Sequence, residues 1–278
     1  MKILIIIFDD PVILKKMLSP SRLKLYASLR NKKYRNIHGL FLAEGEKIVK
    51  DILGFSQTDI KIIALLANKG FLQQIEVMNL PKEIEVIEVL DVELERISSL
   101  STPNKAILLC SKPDFIPDYK KISAELSLFL EDISDPGNLG TIIRTADWFG
   151  IRHVFYTVES VDVFNPKVIQ ASMGAIFRVK VYYEDFETVI SHIGKNPGYR
   201  TIGTSLNGSN LYNEILPDTG LIVFGNESRG LSSSILASLD INLTIPPYGR
   251  YEGRSESLNI STAVSIVLAE FRRRNYSK

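Results

Sequence analysis

One cysteine, Cys110, serves the whole chain, so no internal disulfide can staple the fold. The three histidines, His38, His153 and His192, lie far apart and offer no zinc-ligand spacing. Neither sign of charge is in surplus: 33 Lys and Arg stand against 32 Asp and Glu, for a net charge of +1. That balance argues neither for nor against a polyanionic partner. Long apolar runs are missing too. Lys2 followed by Ile3 to Phe8 resembles the start of a signal peptide, but Asp9, Asp10 and Pro11 interrupt it and no small-residue cleavage site follows. No other stretch approaches the length of a membrane span. The glycine spacings of a dinucleotide fingerprint and the Gly-Lys-Ser/Thr of a P-loop are also lacking, as are internal repeats and low-complexity tracts. Together these absences read as a cytoplasmic chain with no metal and no membrane partner, and residues 1–18 read as a short extension of unknown role.

What is there looks globular, with 45% hydrophobic and 23% charged residues over 278 positions, enough for two ordinary domains. The distribution of charge says more than its sum. From Ser19 to Gly39 the chain carries Arg22, Lys24, Arg30, Lys32, Lys33 and Arg35 with no acidic residue, and its end carries Arg272, Arg273, Arg274 and Lys278. Such clusters on a neutral chain suggest local phosphate-facing surfaces; ordinary solvated helix faces are the plain alternative.

The periodicity predicts two alternating α/β halves. In the first, a basic helix from Ser21 to about Lys33 precedes strands at Leu40–Ala43, Ile60–Leu66, Ile84–Val89 and Ala106–Cys110. The proline-bearing, charged stretch 113–122 is the expected linker between a domain at 19–112 and a domain at 123–278. In the second, strands are expected at Leu126–Leu130, His153–Thr157, Arg178–Tyr183, Thr201–Ser205, Leu221–Phe224 and Ile241–Ile245. Helices are expected at Leu139–Phe149, Lys167–Ala175, Phe186–Ile193, Ser233–Leu239 and Leu258–Arg274. Near-continuous apolar strands separated by helices imply a parallel sheet covered on both faces. Ligands of such sheets bind beyond the strand C-termini.

Three clusters fall there. The first, Asp135-Pro136-Gly137-Asn138, is a turn into a helix; Asn138 is a candidate cap and Gly140 a candidate opening for an anion at the helix start. Arg144 follows on an otherwise apolar helix, where a solvent-facing arginine and a functional one are about equally expected. The second, Val223-Phe224-Gly225-Asn226-Glu227-Ser228-Arg229-Gly230-Leu231, puts a glycine at a strand end, where a ligand can approach the backbone; a tight strand–helix turn is the alternative. The third runs from Ile245-Pro246 to Ser257-Leu258-Asn259-Ile260-Ser261, with Ser257 as the expected cap and Asn259 in the first turn of a long apolar helix.

In order, the segments 135–146, 224–231, and Ile245-Pro246 with 257–261 resemble the three signature motifs of the SpoU (TrmH-like) branch of the SPOUT RNA methyltransferases. Tyr34-Arg35 and the segment 39–45 resemble that family's substrate-binding domain. The resemblance implies a parallel α/β domain with a deep trefoil knot, a smaller N-terminal α/β RNA-binding domain, and a homodimer. It also implies S-adenosylmethionine as cofactor, held largely by backbone groups at Gly225, Ile245 and Leu258 and by Thr204. Asn138, Arg144, Glu227, Ser257 and Asn259 occupy catalytic positions. The implied activity is methylation of a ribose 2′-hydroxyl in structured rRNA or tRNA; a non-catalytic RNA-binding protein and a base-methylating relative are the alternatives. The segment 247–256, with Arg250 and Arg254, is longer and more charged than the family's usual connection.

Methyl transfer from a sulfonium is an in-line displacement, so alignment supplies much of the catalysis. An arginine is a poor base. Arg144 is therefore expected to grip the neighbouring phosphate and polarise the hydroxyl, with Glu227 orienting Arg144 or the ribose, and with Ser257 and Asn259 fixing loop and cofactor. Arg22, Arg30, Lys32, Lys33 and Arg35 are the expected phosphate contacts. Tyr26, Tyr34 and Phe41 are candidates for base stacking, with a core role preferred for Phe41.

Overall fold

Strands whose every side chain is apolar need cover on both faces, and the chain supplies it. A computed structural model describes residues 15–16, 18–55, 58–75, 80–81, 83–100, 104–193, 198–249 and 257–275. Most of the extension 1–18, the loop positions 250–256 with Arg250 and Arg254, and Lys278 lie outside the described residues. The chain divides into two compact units, Met1–Pro113 and Asp114–Lys278.

The first unit is a mixed sheet with helices. Its elements are β1 (Lys15–Lys16), α1 (Pro20–Ser28), α2 (Lys32–His38), β2 (Leu40–Glu44), α3 (Glu46–Leu53), β3 (Ile62–Ala67), α4 (Lys69–Ile75), β4 (Glu85–Glu88), α5 (Asp91–Ile97) and β5 (Ala106–Ser111). The strand order is β1-β4-β3-β5-β2, with β5 antiparallel to both β3 and β2. The single basic helix expected over Ser21–Lys33 is two helices. Asn31, in extended backbone, caps α2 by accepting from the Lys33 N–H at 2.9 Å, because an Asx side chain competes for the backbone and favours a fresh start.

The second unit carries a six-stranded sheet in the order β11-β9-β10-β6-β7-β8, parallel throughout. Its elements are α6 (Tyr119–Ile122), β6 (Leu126–Leu130), α7 (Pro136–Trp148), β7 (His153–Tyr156), α8 (Pro166–Ser172), a 3-10 turn at Ala175–Phe177, β8 (Lys180–Tyr183), α9 (Phe186–Ile193), β9 (Arg200–Asn210), β10 (Gly220–Phe224), α10 (Ser233–Ala237), β11 (Ile241–Thr244) and α11 (Ile260–Asn275). Alternate side chains divide between the faces. Phe129, Phe155, Leu221 and Val223 join a core with Phe186, Val189 and Ile193 of α9. Leu128, Leu130, Val154, Ile222 and Phe224, also buried, belong to the opposite face. The stretch expected to be a linker is not loose: Ile122 is fully buried in this core, and Phe115 and Tyr119 pack against it. Its aromatic and aliphatic residues outweigh the prolines and charges that suggested a connector.

Register places the site. Phe224, Leu130, Tyr156 and Tyr183 are level across β10, β6, β7 and β8, so these strands end together. The chain leaves β6 toward β7 and β8, then returns to β9, β10 and β11 on the other side. The gap between β6 and β10 is thus a topological switch point, where α/β sheets open a crevice.

Candidate active site

The loops after β6 and β10 meet at that switch point. Asp135, in extended backbone, caps α7 by accepting from the Asn138 N–H at 2.7 Å, and Pro136 takes the first helical position. Asn138 is therefore not the cap that its sequence position suggested: with its own N–H spent on Asp135, its amide side chain is available for other contacts. Gly140 is likewise no anion opening. A Cβ there would lie 2.5 Å from Ala171 Cβ and 2.6 Å from Val168 O, so this glycine lets α7 and α8 pack closely. At α11 the cap is Asn259, two residues later than the Ser257 expected. Its Oδ1 accepts from the Ser261 N–H at 3.0 Å, the Thr262 N–H at 3.4 Å and the Ser261 hydroxyl at 2.6 Å.

These caps orient a chain of side chains across three loops. Asn259 Nδ2 donates to Asn138 Oδ1 at 2.9 Å, and Asn138 Nδ2 donates to Glu227 Oε1 at 3.1 Å. The Ser134 hydroxyl donates more weakly to Glu227 Oε2 at 3.4 Å. Both ends dictate the direction: the backbone N–H groups of α11 can only donate and an ionised carboxylate can only accept. Each amide between them has one self-consistent orientation. Glu227 thus orients Asn138 rather than Arg144. Arg144 is exposed and has no hydrogen bond or ion pair among the described residues. At roughly 100° per residue it shares a stripe of α7 with Thr141 and Trp148, both also exposed.

Asp132, not singled out from the sequence, is the hub that holds this arrangement. It sits in left-handed backbone at φ 56° directly after β6. Its N–H donates to Thr157 Oγ1 at 2.9 Å and its Oδ1 accepts from the same hydroxyl at 2.7 Å. Its carbonyl accepts from Asn226 Nδ2 at 2.8 Å, and its Oδ2 pairs with Arg229 Nη2 at 2.8 Å. One residue thereby ties the ends of β6, β7 and β10 together. The signal available was an aspartate just past a strand end, one of the few side chains that tolerate positive φ. Gly225, read as an opening for a ligand, has a nearer reason. Asn226 and Gly230 exchange backbone hydrogen bonds of 3.1 and 2.9 Å, and a Cβ on Gly225 would stand 2.2 Å from the Gly230 carbonyl carbon. Beside the site, burial first, then Asp162 and Tyr183, push the Tyr156 phenol up to about 12, so it stays a proton donor.

Of the residues expected to hold a cofactor, Gly225 and Ile245 follow β10 and β11 directly, Thr204 lies within β9, and Leu258 precedes α11. β11 pairs with Ile202 and Gly203 and then with Ser209 and Asn210, so residues 204–208 bulge from the ladder. Thr204 Oγ1 reaches back to Val223 O at 3.4 Å. Ile245 follows β11 directly, and Leu258, 49% exposed, precedes the Asn259 cap. Asn242, level with Gly203, buries an Oδ1 that has no partner among the described residues, while its Nδ2 donates to Ser205 Oγ at 2.9 Å. A backbone bulge, an orphaned acceptor and the exposed apolar Leu206 and Leu258 fit a ligand with a flat heterocycle and amino groups. Among the described residues no group of His, Cys, Asp and Glu is arranged to hold a metal ion.

The SpoU rRNA Methylase family model matches residues 125–269, more than half of the chain. The chain belongs to that family. A second model, the MRM3-like substrate binding domain, matches residues 21–108. Among curated relatives of this SpoU member, the 23S rRNA guanosine 2′-O-methyltransferase RlmP of Bacillus subtilis is 28% identical over 259 residues, covering 90% of this chain and 96% of the relative. The mitochondrial rRNA methyltransferase 3 of Xenopus laevis is 31% identical over 66% of this chain and 43% of the relative. Among solved structures, a TrmH-family protein from Porphyromonas gingivalis superposes with a TM-score of 0.78 at 36% identity, covering 93% of this chain and 99% of that one. An AdoMet-bound rRNA methyltransferase from Sinorhizobium meliloti gives a TM-score of 0.80 at 27% identity, covering 94% and 98%. The α/β SPOUT architecture and the methyltransferase class inferred from the three motifs therefore hold.

The basic cluster of the first unit is largely spent on structure. Arg35, expected on RNA, is 2% exposed, and its Nη1 donates to the Leu29 and Arg30 carbonyls at 2.9 and 2.8 Å. Arg22 pairs through both nitrogens with Glu85 at 3.0 and 2.6 Å and donates to Tyr26 Oη at 2.8 Å. Arg30 donates to the carbonyls of Ile97 and Arg96 at the end of α5. Orphan carbonyls at helix ends attract such forks. Lys32 and Lys33 stay exposed. Tyr26 and Phe41 are buried and Tyr34 is 40% exposed. The C-terminal cluster is similar: Arg272 donates to Phe149 O at 2.7 Å, and Arg273 and Arg274 clasp Glu270 at 2.8 and 2.7 Å.

Proposed function

We propose that this protein transfers the methyl group of S-adenosylmethionine to a ribose 2′-hydroxyl of ribosomal RNA. It does so as a homodimer whose methyltransferase domain is tied in a trefoil knot. The observation that carries the reading is the one-directional chain from the α11 amides through Asn259 and Asn138 to Glu227, with an exposed arginine further along the helix that carries Asn138. The name of the Bacillus relative supports ribose methylation of ribosomal RNA, that of the Xenopus relative supports ribosomal RNA as the substrate, and the AdoMet-bound Sinorhizobium structure supports the cofactor.

When bound, S-adenosylmethionine supplies a methyl carbon made electrophilic by its sulfonium. Thr204, Gly225, Ile245 and Leu258 hold it, with the bulge 204–208 and Asn242 Oδ1 adding polar contacts. The chain's own groups then position the acceptor. Asn138 and Asn259 lock the β6, β10 and β11 loops into one frame, which fixes the line of attack and supplies effective concentration. Arg144 grips a backbone phosphate and donates toward the hydroxyl oxygen, stabilising the negative charge that develops as the hydroxyl proton passes to solvent. Ser257 shapes the edge of the same frame.

Incubating the protein with labelled S-adenosylmethionine and separated cellular RNAs is the direct test. Label on ribosomal RNA, recovered as a nuclease-resistant 2′-O-methylated linkage, is the expected result. Methyl mapped to a base, or cofactor binding without transfer to any RNA, would overturn the reading.

A further inference from the structure

Helix α2 packs the wrong way round. An amphipathic helix turns its apolar stripe to the core, yet the one buried side chain of Lys32–His38 is Arg35. Tyr34 is 40% and Ile37 61% exposed, and His38 is exposed beside them. Arg35 makes the inversion possible: its guanidinium satisfies the Leu29 and Arg30 carbonyls and anchors the elbow between α1 and α2. Gly39, at φ 62°, then ends the helix with its N–H on Arg35 O.

The outward face is organised. At roughly 100° per residue, Lys33, Ile37, Tyr34 and His38 follow one another around one continuous arc, with Lys32 beyond Lys33 on the same side, past Asn36. The Tyr34 and His38 rings, one turn apart, lie parallel, with centroids 6.4 Å apart and planes 12° from one another. Lys32 and Lys33 have no side-chain partner among the described residues, and the stretch from Ser19 to Gly39 holds no acidic residue to neutralise them. An aligned aromatic pair with lysines along one side suits a flat, electron-rich ring carried on a polyanion. A protein partner of ordinary composition gives less reason for that combination. A base inside a duplex offers no open face for stacking, whereas a single strand does.

We propose that the outer face of α2 is a stacking platform for an unpaired base of single-stranded RNA, with Tyr34 and His38 as its floor and Lys32 and Lys33 on the flanking phosphates. The proposal rests on the RNA-methyltransferase reading and narrows the substrate to a folded RNA that displays an unpaired segment. Its test needs no methyl transfer. Full-length protein without cofactor is titrated with a short, labelled, unstructured RNA and with the same strand annealed to its complement, over a range of salt. Tyr34→Ala is expected to weaken single-strand binding about ten-fold, with the duplex and the salt slope unchanged. Tyr34→Phe keeps the ring and the affinity. Lys33→Ala weakens both RNAs and lowers the salt slope by about one. Equal loss for strand and duplex with Tyr34→Ala, or no loss at all, overturns the platform. So does unchanged RNA binding with an altered oligomeric state, which would assign the face to a second copy. An unchanged circular-dichroism melt checks that the exposed substitution leaves the fold intact. Failure of methylation with the platform intact would sink the enzyme reading alone.

Discussion

Helices α2 and α7 each carry one arginine, and they dispose of it in opposite ways. Arg35 of α2 is buried and bonded to two carbonyls, while the apolar neighbours face water. Arg144 of α7 faces water with no partner among the described residues, while Leu139, Ile142, Ile143 and Ala146 are buried. Charge counting treats the two alike. The difference is whether the fold brings orphan carbonyls within reach of the guanidinium: α2 follows a helix end that supplies them, and the middle of α7 has none. A paired arginine holds structure, and an unpaired one on an exposed helix face is left for a ligand.

The comparison can be broken or sharpened by measurement. Arg144→Ala should lower kcat on order of 10²–10³-fold with a melting temperature close to that of the unaltered protein, because an exposed side chain is removed. Arg144→Lys should stay about ten-fold or more below it, since the planar fork is lost; near-normal methylation by this variant would erase the distinction. Next, Asn138→Asp sets a second carboxylate against Glu227 and removes the donor, and should cost about ten- to a hundred-fold in kcat. Adding Glu227→Gln restores a donor facing Asp and should recover much of the loss. A double variant no better than the single one would show that the direction of the chain does not matter.

Arg35→Ala should do the reverse of Arg144→Ala. Leaving two carbonyls unpaired in a buried elbow should cost about 2 kcal/mol of stability, read from denaturant melts, while turnover per folded molecule holds. The smallest effect concerns Glu270. The Arg273 guanidinium, helped by Arg274 and opposed by burial, holds its carboxyl down to about 2. A carboxylate depressed in the folded state adds stability above its ordinary value near 4.5, lost as pH falls toward 2. Glu270→Gln should flatten that window by about 1 kcal/mol or less; an unchanged acid melt would remove the clasp from the account.

Much of the second unit was legible because buried parallel strands are written as unbroken apolar runs. Leu126–Leu130 falls where expected, and Leu221–Phe224 and His153–Thr157 differ by one residue at an end. Cap positions were misplaced by several residues at α7 and by two at α11, since Asp135, Asn138, Ser257 and Asn259 are all chemically able to cap. Only the hydrogen bonds distinguish them. Asp132 stayed hidden because its partners Thr157, Asn226 and Arg229 come from two other loops.

Local chemistry in the chain was enough to decide which segments are strands, which turns end them, and which residues carry polar chemistry, because periodicity and turn preference act over a few residues. The SpoU motifs likewise name Asn138, Arg144, Glu227 and Asn259 from the residues alone. What those residues do to one another was settled only by the tertiary structure. Sheet order brought β6 beside β10, and the ends of that hydrogen-bonded chain dictated each amide's direction. The same long-range geometry decided which arginines found carbonyls and which, like Arg144, did not.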